Sequence, residues 1–141
     1  MTRIDFYLLP PSDDDTKHLA ACRLAHKTYR LGHRTYILTA TADESASLDQ
    51  LLWTFSPGSF VPHKIYAEPL DPRLPVLIGH GAPPPAFTDV LISLAPSVPN
   101  FFERFARVAE LVAAEDTERA SARDRFRLYR DRGYPVQTHN L

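Results

Sequence analysis

Apolar runs and helical stripes alternate along the first third of this chain. Asp5–Leu9 is a short apolar and aromatic run stopped by a pair of prolines, which predicts a strand buried on both faces. Residues 15–31 carry apolar side chains at helical spacing and are followed by Gly32, which suits the left-handed end of a helix. Arg34–Ala40 is β-branched and aromatic and predicts a second strand.

The second predicted helix has one residue that its core stripe does not explain. Thr41 with Glu44 three positions later forms a capping box and predicts a helix that ends near Phe55. Trp53 projects about 150° away from the apolar stripe of this helix. An outward tryptophan is a candidate anchor for a partner protein, but a loop such as Ser59–His63 could equally cover it locally. Helix geometry leaves both interpretations open.

The rest of the chain predicts further strands and two more helices. Phe60–Tyr66 is a weak extended run interrupted by a proline, so it is an edge strand or no strand. Val76–Gly79 and Asp89–Leu94 predict buried strands, whereas Phe101–Ala114 and the arginine-rich Thr117–Gly133 predict helices. Apolar strands that alternate with amphipathic helices predict an α/β fold with a mainly parallel sheet, right-handed crossovers and helices on both faces.

Composition narrows the class of protein. A length of 141 residues with 44% hydrophobic residues fits one domain spanning residues 1–141. The 16 basic and 17 acidic side chains leave a formal charge of −1, which excludes a broad basic field for nucleic acid. The single cysteine permits no internal disulfide and no multi-cysteine zinc site. No signal peptide or membrane-length apolar stretch is visible, so we expect a soluble cytoplasmic protein.

The turn after the first strand argues against nucleotide binding. In a doubly wound sheet a phosphate would lie here, but Leu9–Asp15 contains no glycine and carries three consecutive aspartates. The aspartates could ligate magnesium, although helix-capping charge is the more ordinary role of such a run. We therefore expect a Rossmann-like topology without a nucleotide-binding loop, and no cofactor.

Candidate catalytic residues are scattered rather than assembled. None of the six histidines lies in a compact metal-ligand spacing. His63 and His80 could act as acid or base at the carboxyl edge of the sheet, yet neither has a base or nucleophile close in sequence. Ser93 is not in a nucleophile elbow, and Cys22 falls beside the apolar stripe of the first helix. A small enzyme that uses this edge remains the competing interpretation.

The last helix has the clearest charge pattern. Its stripe of Arg119, Arg123, Arg127 and Arg130 falls within about 80° of arc, and Phe126 projects about 20° from Arg119. An aromatic wall beside guanidinium groups suits a short ligand with apolar side chains and carboxylates. The alternatives are a solvated helix with ordinary ion pairs, or contacts with nucleic-acid phosphates, for which the basic field is small.

Several segments in order along the chain resemble the chi subunits of bacterial DNA polymerase III. They are DFYLL from Asp5, LDQLLW from Leu48, SFVPH from Ser59, DVLISL from Asp89 and ARDRFRLYR from Ala122. The resemblance implies a noncatalytic accessory protein of the clamp-loader assembly, with a nucleotide-binding-like fold that binds no nucleotide. It further implies two partners: the psi subunit, and the acidic, apolar carboxyl-terminal tail of single-stranded DNA-binding protein. Contact with DNA would be indirect.

The resemblance also assigns residues by position. Those that match the region meeting psi are Trp53, Phe60 and Pro62. Those that match the tail-binding pocket are Arg119, Arg123, Phe126 and Arg127, with Val112 nearby. The family motif has tyrosine where Phe126 stands and lysine at Arg119 and Arg127, so the charge is kept and one hydroxyl is absent.

Overall fold

The computed structural model describes residues 1–12 and 15–141, which form one sheet of seven strands in the order β3-β4-β2-β5-β6-β1-β7, flanked by three helices. All neighbouring strands pair in parallel. The strands are β1 Arg3–Leu8, β2 Thr35–Leu38, β3 His63–Ile65, β4 Val76–Gly79, β5 Val90–Ser93, β6 Arg107–Val112 and β7 Val136–Asn140. The helices are α1 Thr16–Arg30, α2 Ala42–Thr54 and α3 Asp116–Asp131.

The helices cover both faces of the sheet, as the alternation of elements predicts. On one face, α1 and α2 bury small and branched side chains such as Ala21, Ala25 and Leu48 against the central strands. On the other face, Ala122 and Tyr129 of α3 pack against an aromatic-rich cluster. None of the helices in the described part of the chain is long and apolar enough to cross a membrane.

Short polar interactions set the helix ends. The Thr41 side chain accepts a hydrogen bond from the backbone N–H of Glu44 at 3.1 Å, which confirms the predicted cap of α2. Gly32 follows α1 with φ of 84°, a conformation that favours glycine. Asp15 caps the start of α1, whereas the other two aspartates of that run, Asp13 and Asp14, lie outside the described residues.

The prediction of a helix over Phe101–Ala114 is wrong. The segment contains one 3-10 turn, Phe102–Arg104, and then strand β6. β6 lies between β5 and β1, and every residue from Val108 to Val112 is buried. A strand covered on both faces shows an unbroken apolar run, which periodicity cannot distinguish from a buried helix.

The carboxyl end forms strand β7, which the sequence pattern does not predict. Val136–Asn140 is mostly polar and largely exposed because β7 is the outermost strand of the sheet. Its position is set by pairing with β1, beginning with a hydrogen bond of 3.0 Å from the Ile4 N–H to the Pro135 carbonyl. The other edge is β3, so the weak extended run before Tyr66 is an edge strand, as one of the two interpretations had it.

Candidate functional site

A buried ion pair holds α3 on the sheet. Glu110 of β6 is completely buried and accepts hydrogen bonds from Arg125 Nε at 3.1 Å and from the Tyr129 hydroxyl at 2.8 Å. Arg125 also donates to the Pro96 carbonyl at 3.0 Å and to the Ser121 hydroxyl at 2.8 Å. Burial raises the pKa of Glu110, against the opposing charge of Arg125. This network fixes which face of α3 points outward.

A cavity of about 270 Å³ lies under one flank of α3, between this helix and the strands β1 and β7. Its lining consists of Phe6, Leu8, Arg119, Ala122, Arg123, Phe126 and Thr138. The centroids of the Phe126 and Phe6 rings lie 5.6 Å apart, so two aromatic rings in contact form the apolar part of the cavity. The cavity thus combines an apolar interior with guanidinium groups at its border.

The arginines of the predicted stripe separate into different environments. Arg119 donates from Nε to the Ala113 carbonyl at 3.1 Å and from Nη2 to the Leu9 carbonyl at 2.9 Å, so its guanidinium group is fixed. Arg123 is exposed, and its side chain forms no ion pair or hydrogen bond with any residue that the structure describes. Its position beside the cavity leaves its donors available to a ligand.

Two members of the stripe have acidic neighbours and do not line the cavity. Arg127 pairs with Asp124 at 3.3 Å, and Arg130 pairs with Asp131 at 3.3 Å. The interpretation of α3 as an ordinary solvated helix therefore describes these two arginines but not Arg123. Val112 is completely buried in the cluster beneath α3 and has no exposed surface to offer a ligand.

A second exposed surface surrounds Trp53 at the end of α2. Trp53 is 49% exposed and Phe60 is 61% exposed, with 5.8 Å between their ring centroids. Pro62 is half-buried beside them. The buried Val61 and His63 anchor this segment, and the His63 ring lies 4.3 Å from that of Trp53. The segment covers part of Trp53 and leaves about half of its surface free, so the local cover is partial and the role of Trp53 as a partner anchor stays a prediction.

The two surfaces lie at opposite edges of the sheet. The Trp53 surface adjoins β3, which is one outer strand, while the cavity under α3 includes Thr138 of β7, which is the other. Six intervals between neighbouring strands separate β3 from β7, a span of about 29 Å at the usual spacing of ~4.8 Å. The two surfaces are therefore separate from one another.

The carboxyl edge of the sheet has a crevice in which most of the charged groups pair with one another. It measures about 580 Å³ and lies where the chain leaves β1 for α1 on one face and β6 for α3 on the other. Lys17 Nζ lies 2.7 Å from Glu118, and the two ring nitrogens of His18 lie 2.7 Å from Asp15 and 2.8 Å from Glu44. Among the described residues, no group of three acidic, histidine or cysteine side chains could hold a metal ion.

The other candidate catalytic residues are not brought together. His63 is buried, with its ring nitrogens 2.6 Å from the Val61 carbonyl and 3.0 Å from the Asp49 carbonyl. His80 is exposed after β4, and Ser93 is buried in β5. Burial, assisted by the charge of Asp15, raises the pKa of the Cys22 thiol to about 12. The His63 Nε2 also lies 3.4 Å from the Asp49 carboxylate, but among the described residues neither Ser93 nor Cys22 is paired with a histidine.

Sequence reasoning missed the residues that the sheet contributes to the cavity under α3. Phe6 and Leu8 project from the same face of β1, and the alternation of a strand could have placed them together. Nothing in the sequence places them opposite Arg123. Thr138 was missed because β7 itself was not predicted.

Comparisons with known proteins agree with the resemblance read from the sequence. The family profile described as "DNA polymerase III chi subunit, HolC" matches residues 1–137. The chain is 44% identical over 141 residues to the DNA polymerase III subunit chi of Pseudomonas aeruginosa, which covers 100% of this chain and 98% of that relative. It is 32% identical over 144 residues to the DNA polymerase III subunit chi of Escherichia coli, covering 98% and 97% of the two chains.

A solved structure supports the fold at a greater distance. The structure of T4 UvsW superimposes with a TM-score of 0.66 and 9% identity, over 99% of this chain and 42% of that one, so the match shows the α/β fold alone. The family profile and the relatives show the family as well as the fold, because they match the chain nearly from end to end. The chain belongs to the DNA polymerase III chi subunit family, whose role is that of an accessory subunit in DNA replication.

Proposed function

We propose that this chain is a noncatalytic adaptor that bridges the psi subunit of the clamp loader to the carboxyl-terminal tail of single-stranded DNA-binding protein. The tail would bind in the cavity under α3, and psi would bind the Trp53 surface. The observation that carries the proposal is the position of Arg123, an exposed guanidinium group without an ion pair to any described residue, beside an aromatic cavity. The psi and tail partners come from the family resemblance.

The chemistry of the cavity fits an acidic, apolar peptide end. A side chain of the tail would lie against Phe6 and Phe126, while its carboxylates accept hydrogen bonds from Arg123 and from the remaining donors of Arg119. A hydrogen bond between charged groups contributes about 1.5–3 kcal/mol. Because the interaction is partly ionic, binding would weaken as salt concentration rises.

The other residues assigned to the tail site would act less directly. Arg127 lies outside the cavity and would add positive potential to its approach. Val112 would act from the core, where it belongs to the same cluster as Phe6 and Ala122 and supports the floor of the cavity. The tail therefore depends most on Arg123 and Phe126.

The Trp53 surface would supply the second contact. Tryptophan is enriched among residues that dominate binding free energy, and an exposed pair of large rings is an unusual feature of a surface. Pro62 would keep the Phe60 segment rigid, since proline restricts the backbone. Psi would cover the exposed halves of both rings.

We extend the proposal to the protein's setting. It acts in the cytoplasm as one domain spanning residues 1–141, without a cofactor, and reaches DNA only through its protein partners. The competing small enzyme at the carboxyl edge of the sheet gains no support, because Asp15, Lys17, His18, Glu44 and Glu118 of that crevice already pair with one another.

Calorimetric titration with a synthetic tail peptide tests the tail site. The peptide should bind the unmodified protein, and Arg123→Ala should lose most of the affinity while keeping its unfolding midpoint. Arg130→Ala is the matched control, because it removes an exposed arginine of the same helix that pairs with Asp131 outside the cavity. Equal affinities for both variants would refute the assignment.

A further inference from the structure

One strip of the sheet lacks a covering helix. The helix α3 packs over β6 and β7 on one face, and its Tyr129 and Phe126 contact Phe6 of β1. On the other face, α1 packs over β2, β5 and β6. The outer two strands β1 and β7 pack less closely against α1, and at their carboxyl ends Leu141 is 62% exposed.

The open strip forms an apolar groove of about 380 Å³ beside α1. Tyr7 and Leu9 of the first strand segment and Leu111 of β6 form its floor. Ala20 and Leu24 form its wall, one helical turn apart on the flank of α1. The face of the sheet thus offers apolar side chains at the position where a further helix would lie.

The rim of this groove is positively charged. Arg23 and Lys27 line it from α1, both are exposed, and neither side chain forms an ion pair or hydrogen bond with a residue that the structure describes. The described residues that line the groove include no aspartate or glutamate.

Toward the start of β1, the same side of the sheet also carries positively charged side chains. There the buried Asp5 is the shared partner of Arg3 at 3.1 Å, Arg107 at 3.0 Å and His139 at 2.9 Å. Two arginines and a histidine thus surround one carboxylate. The two arginines alone outnumber the carboxylate, and this local excess of positive charge contrasts with the formal charge of −1 for the whole chain.

We propose that the groove between α1 and β1 is a docking site for an acidic amphipathic helix of a partner protein, separate from both surfaces described above. The helix would lie beside α1, with its apolar stripe on the partly exposed Tyr7, Ala20 and Leu24 and its carboxylates toward Arg23 and Lys27. The six residues of β1 span about 20 Å, a length that ~13 helical residues cover.

Charge selects this occupant over a second copy of the chain. A two-fold dimer through this face would place each groove and its cations against the same cations of the other copy, which is repulsive. The apolar floor also distinguishes the site from a phosphate-binding surface, which would present polar donors. The proposal does not depend on the binding of psi or of the tail.

A designed peptide tests the site. The probe is a fluorescein-labelled peptide of about 16 residues with leucine along one helical stripe and glutamate on the flanks, measured by anisotropy against the full chain. We expect binding, and at least a ~10-fold loss with the double variant Arg23→Glu/Lys27→Glu. The matched control Lys64→Glu/Arg104→Glu makes the same change in net charge at exposed positions elsewhere and should bind like the unmodified protein.

Other outcomes would overturn the proposal. They are failure of the probe to bind, equal binding by the Arg23→Glu/Lys27→Glu variant, and equal binding of a lysine-flanked version of the peptide. Loss of probe binding in Arg123→Ala would place the peptide under α3 instead. Sedimentation showing a dimer that the double variant dissociates would assign the groove to a second copy.

Discussion

Phe6 of β1 and Phe126 of α3 lie with their ring centroids 5.6 Å apart and their planes inclined by 54°. Phe6 is buried, whereas Phe126 is only partly buried and lines the cavity that also contains Arg123. The aromatic contact therefore joins the hydrophobic core to the candidate binding surface. A ligand in the cavity would contact the Phe126 ring, which packs against the buried Phe6.

Substitution of Phe126 tests the role of that ring. Phe126→Ala should lower the free energy of unfolding by about 2 kcal/mol, less than for a fully buried ring, and should weaken tail-peptide binding. Phe126→Tyr keeps the ring and should retain both properties. Urea denaturation and peptide titration measure the two effects. Undiminished peptide affinity in Phe126→Ala would show that the ring does not contact the tail.

Trp53→Ala tests the second surface. Because half of this side chain is exposed, the change should alter stability by no more than about 1 kcal/mol while sharply reducing the amount of psi that co-purifies. Gln50→Ala, an exposed change on the same helix, is the control and should leave psi binding intact. A full-strength psi complex with Trp53→Ala would remove Trp53 from the interface.

The Asp5 carboxyl makes the stability of the protein depend on pH in the acid range. Burial opposes ionisation of its carboxyl, but hydrogen bonds from His139 and Arg107 and the charge of Arg3 outweigh burial, so its pKa lies below the ordinary 3.8. The unfolded chain therefore takes up a proton first as pH falls, and the stabilisation present above about pH 4 is lost as pH falls through the folded-state pKa.

Asp5→Asn isolates this effect. The variant should be less stable than the unmodified protein at pH 6, and the difference in the free energy of unfolding should shrink below about pH 4. Urea denaturation across this range measures it. Parallel pH profiles for the two proteins would contradict the role given to the Asp5 cluster.

Cys22 should be inert in the folded protein. The thiol is completely buried, and its pKa of about 12 leaves almost no thiolate at pH 8. We expect a chromogenic disulfide reagent to label it only slowly in buffer and rapidly in denaturing urea. Labelling in buffer at the rate of an exposed thiol would show that α1 opens readily.

The sequence predicts the elements whose patterns are local. The cap at Thr41, the stop at Gly32 and the alternation of strands and helices follow from neighbouring residues, and the structure confirms each of them. β6 was mistaken for a helix because its apolar run is continuous, and β7 was missed because pairing with β1, rather than its own composition, makes it a strand.

Some features of the candidate site can likewise be predicted from the sequence, and others cannot. Helical periodicity places Arg119 and Arg123 on one face of α3 beside Phe126, and both line the cavity. The ion pair of Arg127 with Asp124 is a local contact between residues three apart on α3, so helix spacing is enough to indicate it. The buried role of Arg125 was accessible in principle, since it projects more than about 100° from the arginine stripe and toward Tyr129.

A three-component binding experiment tests directly whether the chain bridges psi and single-stranded DNA-binding protein. Psi is immobilised, this chain is bound to it, and full-length single-stranded DNA-binding protein is then added while surface plasmon resonance records retention. The account predicts a ternary complex with the unmodified chain, loss of the second step alone with Arg123→Ala, and loss of the first step with Trp53→Ala. Single-stranded DNA-binding protein retained equally by Arg123→Ala, or displacing the chain from psi, would contradict it.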